Sequence, residues 1–149
     1  MQKSVIEYLS KTVTAFPDKI AVHDEKEEIT FSQLWQNAVS IASALQNVVN
    51  SRQPVGVYIP KGCKMVTSFA AINMAADFYV PLDTKSPAQR VASILSTLEA
   101  KVVITDVAHK AALSAFYDGE ILVYEDCVTL MQKPEVLRYE KEQIDTDPI

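Results

Sequence analysis

The chain has 149 residues, 48% of them hydrophobic and 22% charged, with a formal net charge of −5. That balance suits one compact domain or part of a larger one and excludes a disordered polymer. Its basic residues are scattered rather than gathered on one face, so nucleic acid is not an expected partner.

No stretch reaches the ~18 consecutive apolar residues of a membrane span. The nearest, residues 65–76, is broken by Thr67, Ser68 and Asn73. Charge interrupts the apolar run at the N-terminus at once, unlike a signal peptide. Cys63 and Cys127 lie far apart with no CxxC pair, which reads as two small apolar core or edge residues. A reducing cytoplasm fits these features.

From about Lys3 to Ala15, Val5, Ile6, Leu9, Val13 and Phe16 recur at helical spacing, and Phe16-Pro17-Asp18 ends the run. Ile20 to His23 and Glu28 to Phe31 predict two short strands joined by an acidic turn, hence a hairpin. Ser32 is the expected cap of the next helix, whose apolar face holds Leu34, Trp35, Ala38, Ile41, Ala42 and Leu45.

A polar loop then leads to a compact strand, Val55 to Ile59, stopped by Pro60-Lys61-Gly62. A mostly apolar helix over about Cys63 to Ala76 follows, then a short buried run, Phe78 to Leu82. Ser86-Pro87 predicts a helix start with Ser86 as cap and Pro87 in the first turn. Val91, Ile94, Leu95 and Leu98 would form its buried side. Lys101 to Thr105 is the clearest strand, followed by a short helix over about 107–116 and a last strand from Ile121 to Tyr124.

Alternating strands and helices, with continuously apolar strands, predict an α/β layered fold with a largely parallel sheet flanked by helices. The expected division is an α/β subdomain over residues 1–125 and a connector over 126–149.

The chemistry of the site is harder to find. The glycines, Gly56, Gly62 and Gly119, form no GxGxxG or GxxxxGK[ST] loop. Pro60-Lys61-Gly62-Cys63 sits between a strand and a helix N-terminus, where an anion could bind, but one glycine and one lysine read rather as a plain strand-to-helix turn. His23 and His109 have no Ser, Cys or carboxylate at a spacing that suggests a triad. Asp24, Asp106 and Asp126 read as turn or capping residues, and no general acid/base pair can be named.

Two segments carry more. Ile29-Thr30-Phe31-Ser32-Gln33-Leu34 resembles the first core motif of amino-acid adenylation domains, L-T-Y-x-E-L, with Phe31 for Tyr and Gln33 for Glu. Met74 through Asp83 resembles the second, K-A-G-x-A-Y-V-P-I-D, with Ala76 where glycine is usual. A glycine there implies a turn that requires positive φ. Ser86-Pro87-Ala88-Gln89-Arg90-Val91 is similar to the family's P-x-x-R helix. Phe16 to Val22 and Val55 to Pro60 match further stretches in the right order.

The resemblance implies the large N-terminal domain of an adenylate-forming enzyme of the D-alanine–carrier-protein ligase or nonribosomal peptide synthetase type. Y-V-P-[IL]-D followed by P-x-x-R favours an amino acid over a fatty acid. The parent reaction implied is ATP plus a carboxylic acid giving an acyl-adenylate and pyrophosphate, then loading of a phosphopantetheinyl carrier protein. ATP and Mg²⁺ are implied for the full-length parent.

Carried over residue by residue, the family's catalytic, cofactor-binding and metal-binding positions do not land on this chain, which is expected to be inactive alone. The positions that do land are structural motif residues: Thr30, Phe31, Leu34, Tyr79, Val80, Pro81, Asp83, Pro87 and Arg90. The remainder of the adenylation domain is the expected partner. The alternatives are a non-catalytic adenylation-like binding module and a fragment of an acyl-CoA synthetase.

Overall fold

The computed structural model describes residues 5–129. The opening helix, α1, runs Val5–Ala15 and buries Ile6. A hairpin of β1 (Ile20–His23) and β2 (Glu28–Thr30) pairs antiparallel, with an irregularity between Ile20 and Val22.

Helix α2, Phe31–Gln46, starts two residues earlier than a Ser32 cap would set it. Thr30 is the cap, because β2 feeds straight into the helix and Thr30 is the last extended residue. The Gln33 backbone N–H donates to Thr30 Oγ1 at 3.1 Å, and the Thr30 N–H donates to Gln33 Oε1 at 2.9 Å. This reciprocal capping box gives the T-x-x-E spacing of the first motif a physical reason. Glutamine in place of glutamate preserves it, since either side chain supplies the accepting oxygen.

The remaining elements are β3 (Pro54–Tyr58), α3 (Cys63–Met74), β4 (Phe78–Pro81), α4 (Ala88–Leu98) and β5 (Val102–Thr105). A 3-10 turn (Val107–His109), α5 (Lys110–Ser114), β6 (Glu120–Val123) and α6 (Tyr124–Thr129) follow. The four strands β4-β3-β5-β6 form one sheet in that order, every pair parallel. The predicted layered, parallel architecture is thus the observed one.

Helices cover both faces. On one, α2 and α3 set Ile41, Leu45, Ile72 and Met74 against Val55, Val57, Val102 and Ile104. On the other, α4 and α5 set Val91, Leu95 and Leu113 against Tyr58, Leu82 and Val103. Strand β5 is buried along its whole length, which is why its residues read as a continuous apolar run. Gly56 is the tight point of the second face. A Cβ there would stand 2.9 Å from Leu82 Cδ1 and 3.0 Å from Val103 Cγ2.

Several expectations are corrected. Helix α4 begins at Ala88, with Pro87 still extended and its carbonyl accepting from the Arg90 N–H at 3.0 Å. Ser86 does not cap it, because Pro87 itself takes the cap position and puts Ser86 one residue before it, in the turn closed by the Asp83 carbonyl. Leu98 is exposed, since the helix closes immediately after it through Glu99 at φ +53. The helix expected over 107–116 divides into the 3-10 turn and α5.

Residues after Tyr124 form a further short helix, α6, which buries Tyr124 and Cys127 in the core it shares with α2. It spans the boundary expected at residue 125. Lys3 and the remainder of the expected connector lie outside the described residues.

Candidate functional site at the carboxyl edge of the sheet

All strands of a parallel sheet end on the same edge, and ligand clefts of open α/β sheets lie outside those carboxyl ends. Here the segments following β3, β4 and β5, together with the turn between β1 and β2, enclose a cleft of about 800 Å³. Lys61, Lys64, Asp83, Lys85 and Asp106 line it, together with the acidic turn from Asp24 to Glu27. Both signs of charge therefore face one space.

The N-terminus of α3 points to this cleft, and its anion position is filled from within the chain. Asp24 Oδ2 accepts the Cys63 N–H at 2.8 Å, while Oδ1 accepts the Lys26 and Glu27 N–H groups at 2.8 and 2.9 Å. A carboxylate at a helix N-terminus satisfies an orphan donor and meets the positive end of the helix dipole. These bonds, from Cys63 first and then Lys26 and Glu27, hold the Asp24 carboxyl down to about 2.

Gly62 makes the approach possible. Its φ of +157° is a conformation side chains rarely adopt, and a Cβ there would collide with the Asp24 carboxylate.

Asp24, Glu27 and Cys63 offer ligand atoms within 4.8 Å of one another. In this structure Asp24 serves as the cap of α3, and Cys63 is a buried thiol beside it. Burial first, then the nearby Asp24 charge, pushes the Cys63 thiol up to about 11, so it stays protonated. It donates toward the Val22 and Glu27 carbonyls at 3.6 Å.

From the cleft lining, Lys64 Nζ donates to Glu125 Oε2 at 2.9 Å, and the Val107 N–H donates to Glu125 Oε1 at 3.0 Å. Burial works against the Glu125 carboxylate, but the Lys64 hydrogen bond and the backbone N–H groups outweigh it and hold its carboxyl below the ordinary range. The Glu125 bond in turn raises Lys64 above the usual lysine value. Helix α6 is thereby tied to α3 and to the end of β5.

Asp106, nearly buried after β5, caps the 3-10 turn through the His109 N–H at 2.9 Å. The His109 ring Nδ1 also meets Asp106 Oδ1, at 2.7 Å. His109 thus has a carboxylate partner that its spacing did not suggest; the 3-10 turn folds the ring back onto a residue three positions earlier. The ring also packs edge-on against Tyr58.

The motif residues divide among three places. Thr30, Phe31 and Leu34 hold the hairpin-to-α2 corner, where Leu34 packs with Ile29 and Cys63. Tyr79 and Val80 lie on β4, Tyr79 stacked on Phe69 with ring centroids 4.1 Å apart. Pro81 and Asp83 line the cleft, and Asp83 Oδ1 accepts the Lys85 N–H at 2.8 Å. Pro87 and Arg90 begin α4, outside the cleft lining. The structure brings only Pro81 and Asp83 of this set to the cleft. Asp24, Lys64 and Glu125, which organise it, carry no motif in the sequence.

Ala76 has φ +61°, the left-handed conformation implied by the family's glycine. The Ala76 N–H donates to the Asn73 carbonyl at 3.0 Å and the Asp77 N–H to the Ile72 carbonyl at 3.1 Å, closing α3 in a Schellman turn. The second motif therefore begins as a helix stop that aims β4 along β3.

Known proteins share this fold. The AMP-binding enzyme family matches residues 9–148. Tyrocidine synthase 1 of Brevibacillus parabrevis is 29% identical over 126 residues, covering 83% of this chain and 12% of that protein. Among solved structures, the N-terminal subdomain of Klebsiella oxytoca NpsA with 3-hydroxyanthranilyl-AMSN superposes with a TM-score of 0.76 at 20% identity. The match covers 91% of this chain and 34% of that one. NpsA has also been solved as an artificially fused adenylation-PCP di-domain.

The nonribosomal peptide synthetase FmoA3 in its AMPPNP-bound form gives a TM-score of 0.78 at 25% identity, over 88% of this chain and 14% of that one. Among the first curated relatives the chain spans from 1% to 18% of their length. With the family match covering most of its residues and the same parallel sheet beneath the cleft, the chain belongs to the AMP-binding enzyme family.

Proposed function

We propose that this chain forms the opening part of the large domain of an ATP-dependent amino-acid-activating ligase. The parent enzyme joins an amino acid to AMP, releases pyrophosphate and loads the product onto a phosphopantetheinyl carrier protein. The observation that carries this reading is the parallel sheet with its carboxyl-edge cleft, built on the adenylation-domain motifs and alike in shape to FmoA3 over 88% of the chain. The carrier protein is inferred by analogy with the adenylation-PCP fusion of NpsA.

Within that enzyme the described residues act as scaffold. An ATP phosphate does not fit the α3 N-terminus, because the Asp24 carboxylate already takes the Cys63 N–H. That occupied position supports placing the parent's phosphate and Mg²⁺ binding on other residues. What these residues contribute is position: the capping box orients α2, the Schellman turn aims β4, and the Lys64–Glu125 pair ties α6 to α3.

Amino-acid-dependent ATP–pyrophosphate exchange tests both parts of the proposal. The chain alone is expected to give none, and exchange by the chain alone would overturn the scaffold role. Grafted in place of the matched 126 residues of tyrocidine synthase 1, it is expected to support exchange. A folded chimera without exchange would refute the activity.

A further inference from the structure

Helix α6 has six residues, too few to persist on its own hydrogen bonds, so its direction depends on what its side chains grip. Tyr124 and Cys127 are buried in the core shared with α2. Apolar burial is non-directional and by itself leaves a short helix free to roll against its neighbour. Glu125 supplies the direction. One carboxylate oxygen, Oε2, accepts from Lys64 Nζ on α3, and the other, Oε1, accepts from the Val107 N–H at the start of the 3-10 turn after β5. The Lys64 ammonium also stands 5.9 Å from the centre of the Tyr124 ring, so two adjacent α6 side chains hold it.

Both feet of this clasp stand at the cleft. Lys64 lines it, and so does Asp106, the residue before Val107. The match to the AMP-binding family runs on to residue 148, so the chain that leaves α6 at Thr129 belongs to the same match. The ion pair itself adds little stability. Each of its side chains keeps 34% of its surface exposed, and Val107, 61% exposed, can give its N–H to water instead. What the clasp adds is orientation.

We propose that Glu125 is a positioning residue for the adenylation reaction. It fixes α6 between α3 and the end of β5, sets the direction in which the chain leaves the scaffold, and so places the residues after Thr129 relative to the cleft. This deepens, and rests on, the activity proposed above. Glu125 acts on the reaction only through the segment it aims, where a misplacement of about 1 Å costs on the order of a hundredfold in rate.

Residual dipolar couplings in a weakly aligned sample of the chain itself report the orientation of the α6 N–H groups relative to those of β5. In Glu125→Ala the α6 couplings are expected to fall by at least about half as the helix begins to roll, with β5 unchanged and Tm within about 2 °C of the parent. Glu125→Gln keeps an acceptor for the Val107 N–H and is expected to stay near the parent. Lys64→Met removes one foot and serves if Glu125→Ala does not fold. Unchanged α6 couplings in the variant that loses the clasp would overturn the proposal.

In the chimera with tyrocidine synthase 1, Glu125→Ala is expected to lower kcat of ATP–pyrophosphate exchange at least about tenfold, with KM for ATP and for the amino acid within about twofold. Glu125→Gln is expected to restore most of it. An unchanged kcat, a loss confined to KM, or a kcat loss accounted for by a fall in Tm would each overturn a positioning role, the last in favour of a purely stabilising one. A chimera inactive with Glu125 in place refutes the activity instead, and the couplings, which need no catalysis, still decide whether Glu125 orients α6.

Discussion

Replacing Ala76 by glycine should stabilise this protein, although glycine is ordinarily the costlier residue. Ala76 sits at φ +61° and is only partly buried. An L-residue in the left-handed region costs about 1–2 kcal/mol. Glycine removes that cost but adds roughly 0.5–1 kcal/mol of backbone entropy lost on folding. The difference is a gain of about 0.5–1 kcal/mol. For a domain of this size that raises Tm by about 1–4 °C.

Ala75 supplies the control. It is 0% exposed with φ −83°, so Ala75→Gly loses a packed methyl and gains only flexibility. A destabilisation of roughly 1–2 kcal/mol is expected there. Urea unfolding of both variants, with the m-value checked for constancy, measures the two effects directly. If Ala76→Gly lowers the midpoint as Ala75→Gly does, the strain assigned to the Schellman turn is not present.

Gly62→Ala puts a Cβ into the Asp24 carboxylate and forces a glycine-type backbone on alanine; a loss of about 1–3 kcal/mol in urea unfolding is expected. A variant within experimental error of the parent would show that the cap relaxes freely. Asp24 also gives the fold an acid limit. Its folded value is lowered from 3.8 to about 2, so its contribution is complete above pH 3.8 and fades as pH falls toward 2. Asp24→Asn should flatten Tm against pH in that window, and an unchanged slope would place the acid sensitivity elsewhere. Burial first pushes both the Cys63 and Cys127 thiols up to about 11. A disulfide-exchange reagent at pH 8 is therefore expected to label neither until urea unfolds the chain; rapid labelling of the native protein would contradict their burial.

What could be read in the sequence follows from the range of each interaction. The layered parallel sheet was legible because burial on both faces leaves continuous apolar runs such as Val102 to Ile104. The positive φ at Ala76 was legible through the motif glycine it replaces. The cap at Thr30 was within reach, since Thr30 and Gln33 stand at capping-box spacing; the extended conformation of Thr30, a product of hairpin pairing, decided against Ser32. By contrast, Asp24 reaches Cys63 across 39 residues, and Lys64 reaches Glu125 across 61. No local pattern encodes such contacts. Helix α6 was hidden for a different reason: over Tyr124–Thr129 it is too short to display a full apolar period.

The site itself is best understood through what Asp24 displaces. A strand-to-helix turn with Lys61 and Gly62 beside a helix N-terminus has the parts of an anion site, and the sequence leaves that option open. The fold closes it by delivering a carboxylate from the hairpin, which takes the Cys63 N–H and is itself held by the Lys26 and Glu27 N–H groups. The same contact docks the β1–β2 hairpin onto α3. An external phosphate at this point would have to break that docking and meet the Asp24 charge, so the cleft wall exchanges binding capacity for rigidity. That exchange suits the scaffold role proposed for these residues, because a docked hairpin holds the wall of a cleft at the carboxyl edge, where α/β proteins bind ligands.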